Sequence, residues 1–136
     1  MRYIVQNGVK PTYLFKDEPQ YTERHPRTLV GVSDDNKIIL VVVDGRRTDS
    51  IGVTLSEGAS LLIAYGAAWG MDFDGGGSSQ LVIDGKLVNM PMDIDGVSRE
   101  RPVVNHLLFI PKTTPPTTGG TMYAGTINTT PAKVWN

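Results

Sequence analysis

A chain of 136 residues with 40% apolar content can close one hydrophobic core, and two folded domains would strain it. Its 13 basic and 14 acidic residues nearly cancel and form no block of like charge, which gives no electrostatic footprint for nucleic acid and favours a small or neutral partner. The absence of cysteine excludes disulfides, thiolate metal sites and cysteine nucleophiles together.

The opening residues, Met1 to Gln6, lack the apolar core of a secretory leader, and no apolar run approaches the roughly 18 residues that span a bilayer. The expectation is a cytoplasmic protein with no membrane partner. Tyr3-Ile4-Val5 and Thr12-Tyr13-Leu14-Phe15 flank Asn7-Gly8, a dipeptide that accepts the positive φ angles of a tight turn, and predict a short N-terminal hairpin. Thr28 to Val32 and Lys37 to Val43 repeat the pattern about Ser33-Asp34-Asp35-Asn36. The unbroken run Ile38 to Val43 predicts a strand buried on both faces.

Thr54-Leu55-Ser56-Glu57 is a capping box, in which the threonine hydroxyl accepts from the third amide and the glutamate reaches back. Leu55, Ala59, Leu62 and Ile63 share one face of the helix it starts, and Gly66 supplies a stop. The helix therefore runs over about 54–66. Trp69 to Phe73 reads as a short strand, Ser79 to Ile83 and Lys86 to Val88 as a hairpin about Asp84-Gly85, and Val103 to Ile110 as the last strand. From Pro111 the chain turns to threonine, proline and glycine, too poor in apolar groups to pack. Met122, Tyr123, Ile127, Val134 and Trp135 then return, so residues 111–136 read as a linker and docking arm, and the chain as a homo-oligomer. The fold class is α+β, a mixed or antiparallel sheet with one main helix, over residues 1–110.

Asp74-Gly75-Gly76-Gly77-Ser78-Ser79 follows a strand, with three glycines that let main-chain amides approach a ligand and two hydroxyls just behind. Such a loop holds an anion or a sugar phosphate, or is simply a glycine-rich turn. Further segments surround it in order: His25-Pro26-Arg27-Thr28, Val43-Asp44-Gly45-Arg46, Ser50 to Thr54 with Glu57, Val88-Asn89, and Glu100-Arg101-Pro102-Val103-Val104-Asn105. With these motifs the sequence resembles the phosphodiester glycosidase family from about Arg27 to about Ile110.

That resemblance implies cleavage of a sugar from a sugar phosphodiester at the anomeric bond. The chemistry asks for a carboxylate at the oxocarbenium-like centre and cations on the phosphate, while the good leaving group makes an acid less important. Asp74 is the first candidate for the catalytic carboxylate, against a plain turn-capping role. Glu100 is the second, against an ordinary ion pair with Arg99 or Arg101. Asp44 binds sugar hydroxyls, orients Arg46, or only shapes a turn. Arg27, Arg46 and Arg101 supply guanidinium forks suited to phosphate. Thr28, Gly75, Gly76, Gly77, Ser78, Ser79, Asn89 and Asn105 complete the candidate binding set.

His25 and His106 read as a loop and a strand residue, which removes a serine-hydrolase triad. No cofactor is implied. Asp44, Asp72 and Asp74 offer oxygen ligands to a hard cation without a metal-loop spacing, and Asp93-Ile94-Asp95-Gly96 lacks the distal glutamate of a calcium loop and reads as a solvent turn. Family members carry a longer region before the arginine-threonine segment. The resemblance therefore leaves three functions open: a hydrolase, a non-catalytic module sequestering a sugar phosphate, nucleotide or ADP-ribose-like ligand with a neighbouring subunit completing its pocket, and an assembly protein.

Overall fold

The computed structural model describes residues 2–104 and 106–109. Asn105, Ile110 and the proposed arm at 111–136 lie outside the described residues. Four strands, β1 (Arg2–Gln6), β2 (Arg27–Ser33), β3 (Ile38–Val43) and β4 (Ala67–Asp72), form one sheet in the order β1-β4-β2-β3, with every pairing antiparallel. A single turn of helix, α1 (Pro19–Thr22), precedes β2, and the main helix α2 (Leu55–Ala64) connects β3 to β4. A second, two-stranded sheet pairs β5 (Val82–Ile83) with β6 (Lys86–Leu87).

Helix α2 begins where the sequence predicts. Thr54 Oγ1 accepts from the Glu57 amide at 3.1 Å and the Glu57 carboxylate accepts from the Thr54 amide at 2.9 Å; such a cap contributes about 0.5–2 kcal/mol. Its apolar face, Leu55, Ala59 and Leu62, is buried with Ile4, Val5, Leu29, Val41 and Val43 of the sheet. Leu62 seats directly on the strands because Gly31 and Gly70 leave room. A Cβ on Gly70 would stand 2.5 Å from Leu62 Cδ1.

Three local expectations are corrected. The Asn7-Gly8 turn forms, closed by a Gln6–Val9 bridge, but Thr12–Phe15 is a 3-10 turn and β1 takes its main partner from β4. Pro11, which has no N–H to donate to a ladder, ends the return arm. Strand β3 is an edge strand with one covered face: Val41 and Val43 are buried, while Ile38 and Leu40 are exposed on the face away from α2. Residues 103, 104 and 106–109 are not in a strand and are exposed.

Candidate functional site

The antiparallel register sets Arg27 opposite Val43 and Leu29 opposite Asp72, so β2 starts where β3 and β4 end. Three motif segments, His25 to Arg27, Asp44 to Arg46 and Asp74 to Ser79, are thereby gathered at one end of the sheet. They border an open cleft of about 370 Å³ lined by His25, Pro26, Arg27, Arg46, Gly75, Gly76, Gly77, Ile94 and Arg101. Three arginines and no carboxylate are among the lining residues, and guanidinium groups suit an anionic partner.

The glycine loop is folded onto Pro26. The Gly76 amide donates to the Pro26 carbonyl at 2.9 Å, and Gly76 to Ser78 form one 3-10 turn closed by Ser78 and Ser79 amides bonding back to Gly75 and Gly76. Gly75 passes so close to Pro26 that a Cβ would lie 2.7 Å from its carbonyl oxygen. The arginines play unequal parts. Arg46 donates from Nη1 to the Met92 carbonyl at 3.2 Å and has no carboxylate partner among the described residues. Arg101 donates to Ser78 Oγ from Nη2 at 2.6 Å and lies 3.4 Å from Asp93 Oδ1, with its carbonyl held by Gln80. Both keep their cationic heads at the cleft.

Arg27 is different. Its guanidinium turns inward, donating to the carbonyls of Val53 and Glu23 and pairing with Asp72 at 3.7 Å. Burial pushes the Arg27 pKa down against the pull of Asp72, and burial pushes the Asp72 carboxyl up against the pull of Arg27. Arg27 thus forms a wall of the cleft while its charge is spent inside.

Asp74 is exposed, precedes the lining Gly75, and has no hydrogen-bond or ion-pair partner among the described residues. Asp44 instead accepts from Asn89 Nδ2 at 2.9 Å and from the Met90 amide at 3.0 Å. Asn89 also donates to the Ser79 carbonyl and accepts from the Leu81 amide. This network ties the glycine loop to the β5–β6 sheet, and neither residue lines the cleft. Thr28 and Ser79 have buried hydroxyls without a partner. Glu100 is exposed and does not line the cleft; Arg99 pairs with Asp93 and Asp95 instead. Among the described residues no three acidic or histidine side chains converge as metal ligands.

The sequence model of the phosphodiester glycosidase family matches residues 1–110. The chain belongs to this family. It is 38% identical over 84 residues to the SPbeta prophage-derived uncharacterized protein YomE of Bacillus subtilis, covering 62% of this chain and 12% of that one. It is 36% identical over 67 residues to the N-acetylglucosamine-1-phosphodiester alpha-N-acetylglucosaminidase of Bos taurus, covering 49% of this chain and 12% of that one. The catalytic domain of the zebrafish enzyme of that name, auto-inhibited by its pro-peptide, superposes with a TM-score of 0.57 at 27% identity over 67% of this chain and 33% of that one. A Burkholderia pseudomallei protein superposes with a TM-score of 0.52 at 43% identity, over 57% and 14%. The chain therefore spans 12% of the length of either curated relative.

Within this family domain, three cleft residues fall outside the binding set read from the sequence: His25, Pro26 and Ile94. His25 lines the cleft and pairs with Glu23 at 3.2 Å; it stands in the His25 to Thr28 motif, which was signal enough. Ile94 lines it from a turn that periodicity marks only as solvent loop. Among the described residues no helix is long and apolar enough to cross a membrane.

Proposed function

We propose that the domain binds a glycosyl phosphodiester with its phosphate between Arg46, Arg101 and the Gly75–Gly77 turn, and hydrolyses the bond between the anomeric carbon and the phosphate oxygen. The observation that carries this reading is a cleft lined by three arginines and built on the family's motif segments, with Asp74 next to its lining Gly75. Water adds to the anomeric carbon as the C–O bond breaks, and the electron pair leaves on a phosphate monoester that Arg46 and Arg101 stabilise. Asp74, exposed and unpartnered among the described residues beside Gly75, takes the proton of the water or faces the positive anomeric centre. The activity that the bovine relative's name carries supports the same chemistry.

A second reading is favoured by one feature of the same cleft. No carboxylate lines it, which suits a module that holds a sugar phosphate or nucleotide-like ligand intact. Both readings include a second copy of the chain as partner, supported by the exposed outer face of the sheet, where Tyr3, Val32, Ile38, Leu40 and Trp69 stand in the open. Light scattering on the full chain tests that part.

Titration with a sugar 1-phosphodiester separates the functions. A ligand bound only by the folded state raises stability by about 2.7 kcal/mol at a hundredfold excess over Kd. Stabilisation with release of free sugar supports the hydrolase, and stabilisation with intact ligand recovered supports the sequestering module. Neither effect across several glycosyl phosphates overturns both.

A further inference from the structure

Ile94 is 86% exposed, yet it is the lone aliphatic side chain outside the proline and glycines among the residues that line the arginine cleft. A single surface isoleucine ordinarily needs no explanation. This one is presented on a braced turn. Met92 and Ser98 bridge, the Asp93 amide donates to the Val97 carbonyl at 3.1 Å, the Gly96 amide donates to the Asp93 carbonyl at 3.1 Å, and Asp93 Oδ1 accepts from the amide of Ile94 itself at 2.8 Å. Asp95 Oδ1 accepts from the Val97 amide at 3.0 Å, and Arg99 reaches both aspartates.

The same turn is tied to the groups that would hold a phosphate. Arg46 donates to the Met92 carbonyl, Arg101 pairs with Asp93, and Gly77 packs on Asp93, where a Cβ would lie 3.2 Å from Cγ. Along the loop the order is therefore Asp74, then Gly76 against Arg46, then Gly77 against the Ile94 turn. A phosphodiester laid along it with its sugar at Asp74 and its phosphate at Gly76 brings its second ester group to Ile94. A hydroxyl-rich sugar offers Ile94 nothing to cover, whereas an apolar alcohol does.

From this ordering we infer that Ile94 is a specificity-determining residue that selects phosphodiesters whose non-sugar alcohol carries an apolar group next to the phosphate. The inference rests on the phosphodiester reading of the cleft and goes beyond it in naming the leaving group's chemistry. Covering part of an isoleucine against a ring is worth about 1 kcal/mol, or about fivefold in affinity, and the fixed turn adds no ordering cost on binding.

The test measures Kd for the methyl and benzyl esters of N-acetylglucosamine 1-phosphate, with inorganic phosphate as the bare anion, on the full chain and on Ile94→Ala and Ile94→Leu. Wild type prefers benzyl over methyl about fivefold, Ile94→Leu keeps the preference, and Ile94→Ala reduces it below about twofold while methyl ester and phosphate bind as in wild type. Equal affinity for both esters in wild type, or a preference that survives in Ile94→Ala, overturns the role of Ile94 and leaves the cleft reading standing. Failure of both esters and phosphate to bind overturns the cleft reading and this inference together.

Discussion

Arg46 lies over Gly76 so closely that a Cβ on the glycine would stand 3.1 Å from both of its terminal guanidinium nitrogens. Gly76 also has a φ of +62°, a region that costs an L side chain about 1–2 kcal/mol. Gly76→Ala is therefore expected to lower stability by about that amount and to push Arg46 off the phosphate position. Thermal unfolding reads the first effect and phosphodiester titration the second. An alanine variant that binds like wild type would separate the glycine turn from the anion site.

Asp74 makes no contact that the fold needs. Asp74→Asn should leave stability within about 0.5 kcal/mol of wild type and slow sugar release by about two to four orders of magnitude, the usual weight of a proton-transferring group. Ligand affinity should hold, because the proposed phosphate contacts are with Arg46, Arg101 and the Gly75–Gly77 turn. Release at the wild-type rate in this variant would remove Asp74 from the chemistry.

Asp44 should behave in the opposite way. Asp44→Ala strips the acceptor from the half-buried Asn89 and the Met90 amide, and such hydrogen bonds contribute about 0.5–1.5 kcal/mol each. Denaturant unfolding should show that loss, while turnover per folded molecule stays near wild type. A stable variant that fails to turn over would place Asp44 at the substrate.

The contrast between these two aspartates shows where the sequence is legible. Each precedes a glycine in a family motif, and nothing in the linear pattern distinguishes the carboxylate that is tied up by Asn89, 45 residues away, from the one that stays unpartnered. Local signals are legible: the Thr54 capping box, the Asp84-Gly85 turn and the β2–β3 hairpin are each fixed by neighbours in the chain. What escaped depends on distant packing. The run Ile38 to Val43 has the composition of a strand covered twice, but its place at the sheet edge follows from β4 pairing with β2 on the other side. Arg27 likewise reads as a phosphate clamp until Asp72 is set beneath it by the register.

The acidic groups divide into two kinds, and stability should follow pH accordingly. Asp93 is held below the usual carboxylate range, first by the Ile94 amide and then by Arg101 and Arg99; Asp95 is held down by the Val97 amide and then by Arg99. A depressed pKa gives stability that is present above the ordinary value of about 3.9 and is lost as pH falls through the depressed one. Asp72 is raised by burial, so its contribution is present below about 3.9 and is lost as pH rises through its raised pKa. Melting temperature should thus fall on the acid side as the Ile94 turn loses its charges, and Asp93→Asn with Asp95→Asn should flatten that limb. Asp72→Asn copies the neutral form of the acid, so it should start close to wild type at about pH 4. Its curve should lack the decline that wild type shows just above about pH 4. Parallel wild-type and Asp72→Asn curves across that window would mean that Asp72 titrates as it does in the unfolded chain, and that the buried pair with Arg27 carries no linkage to pH.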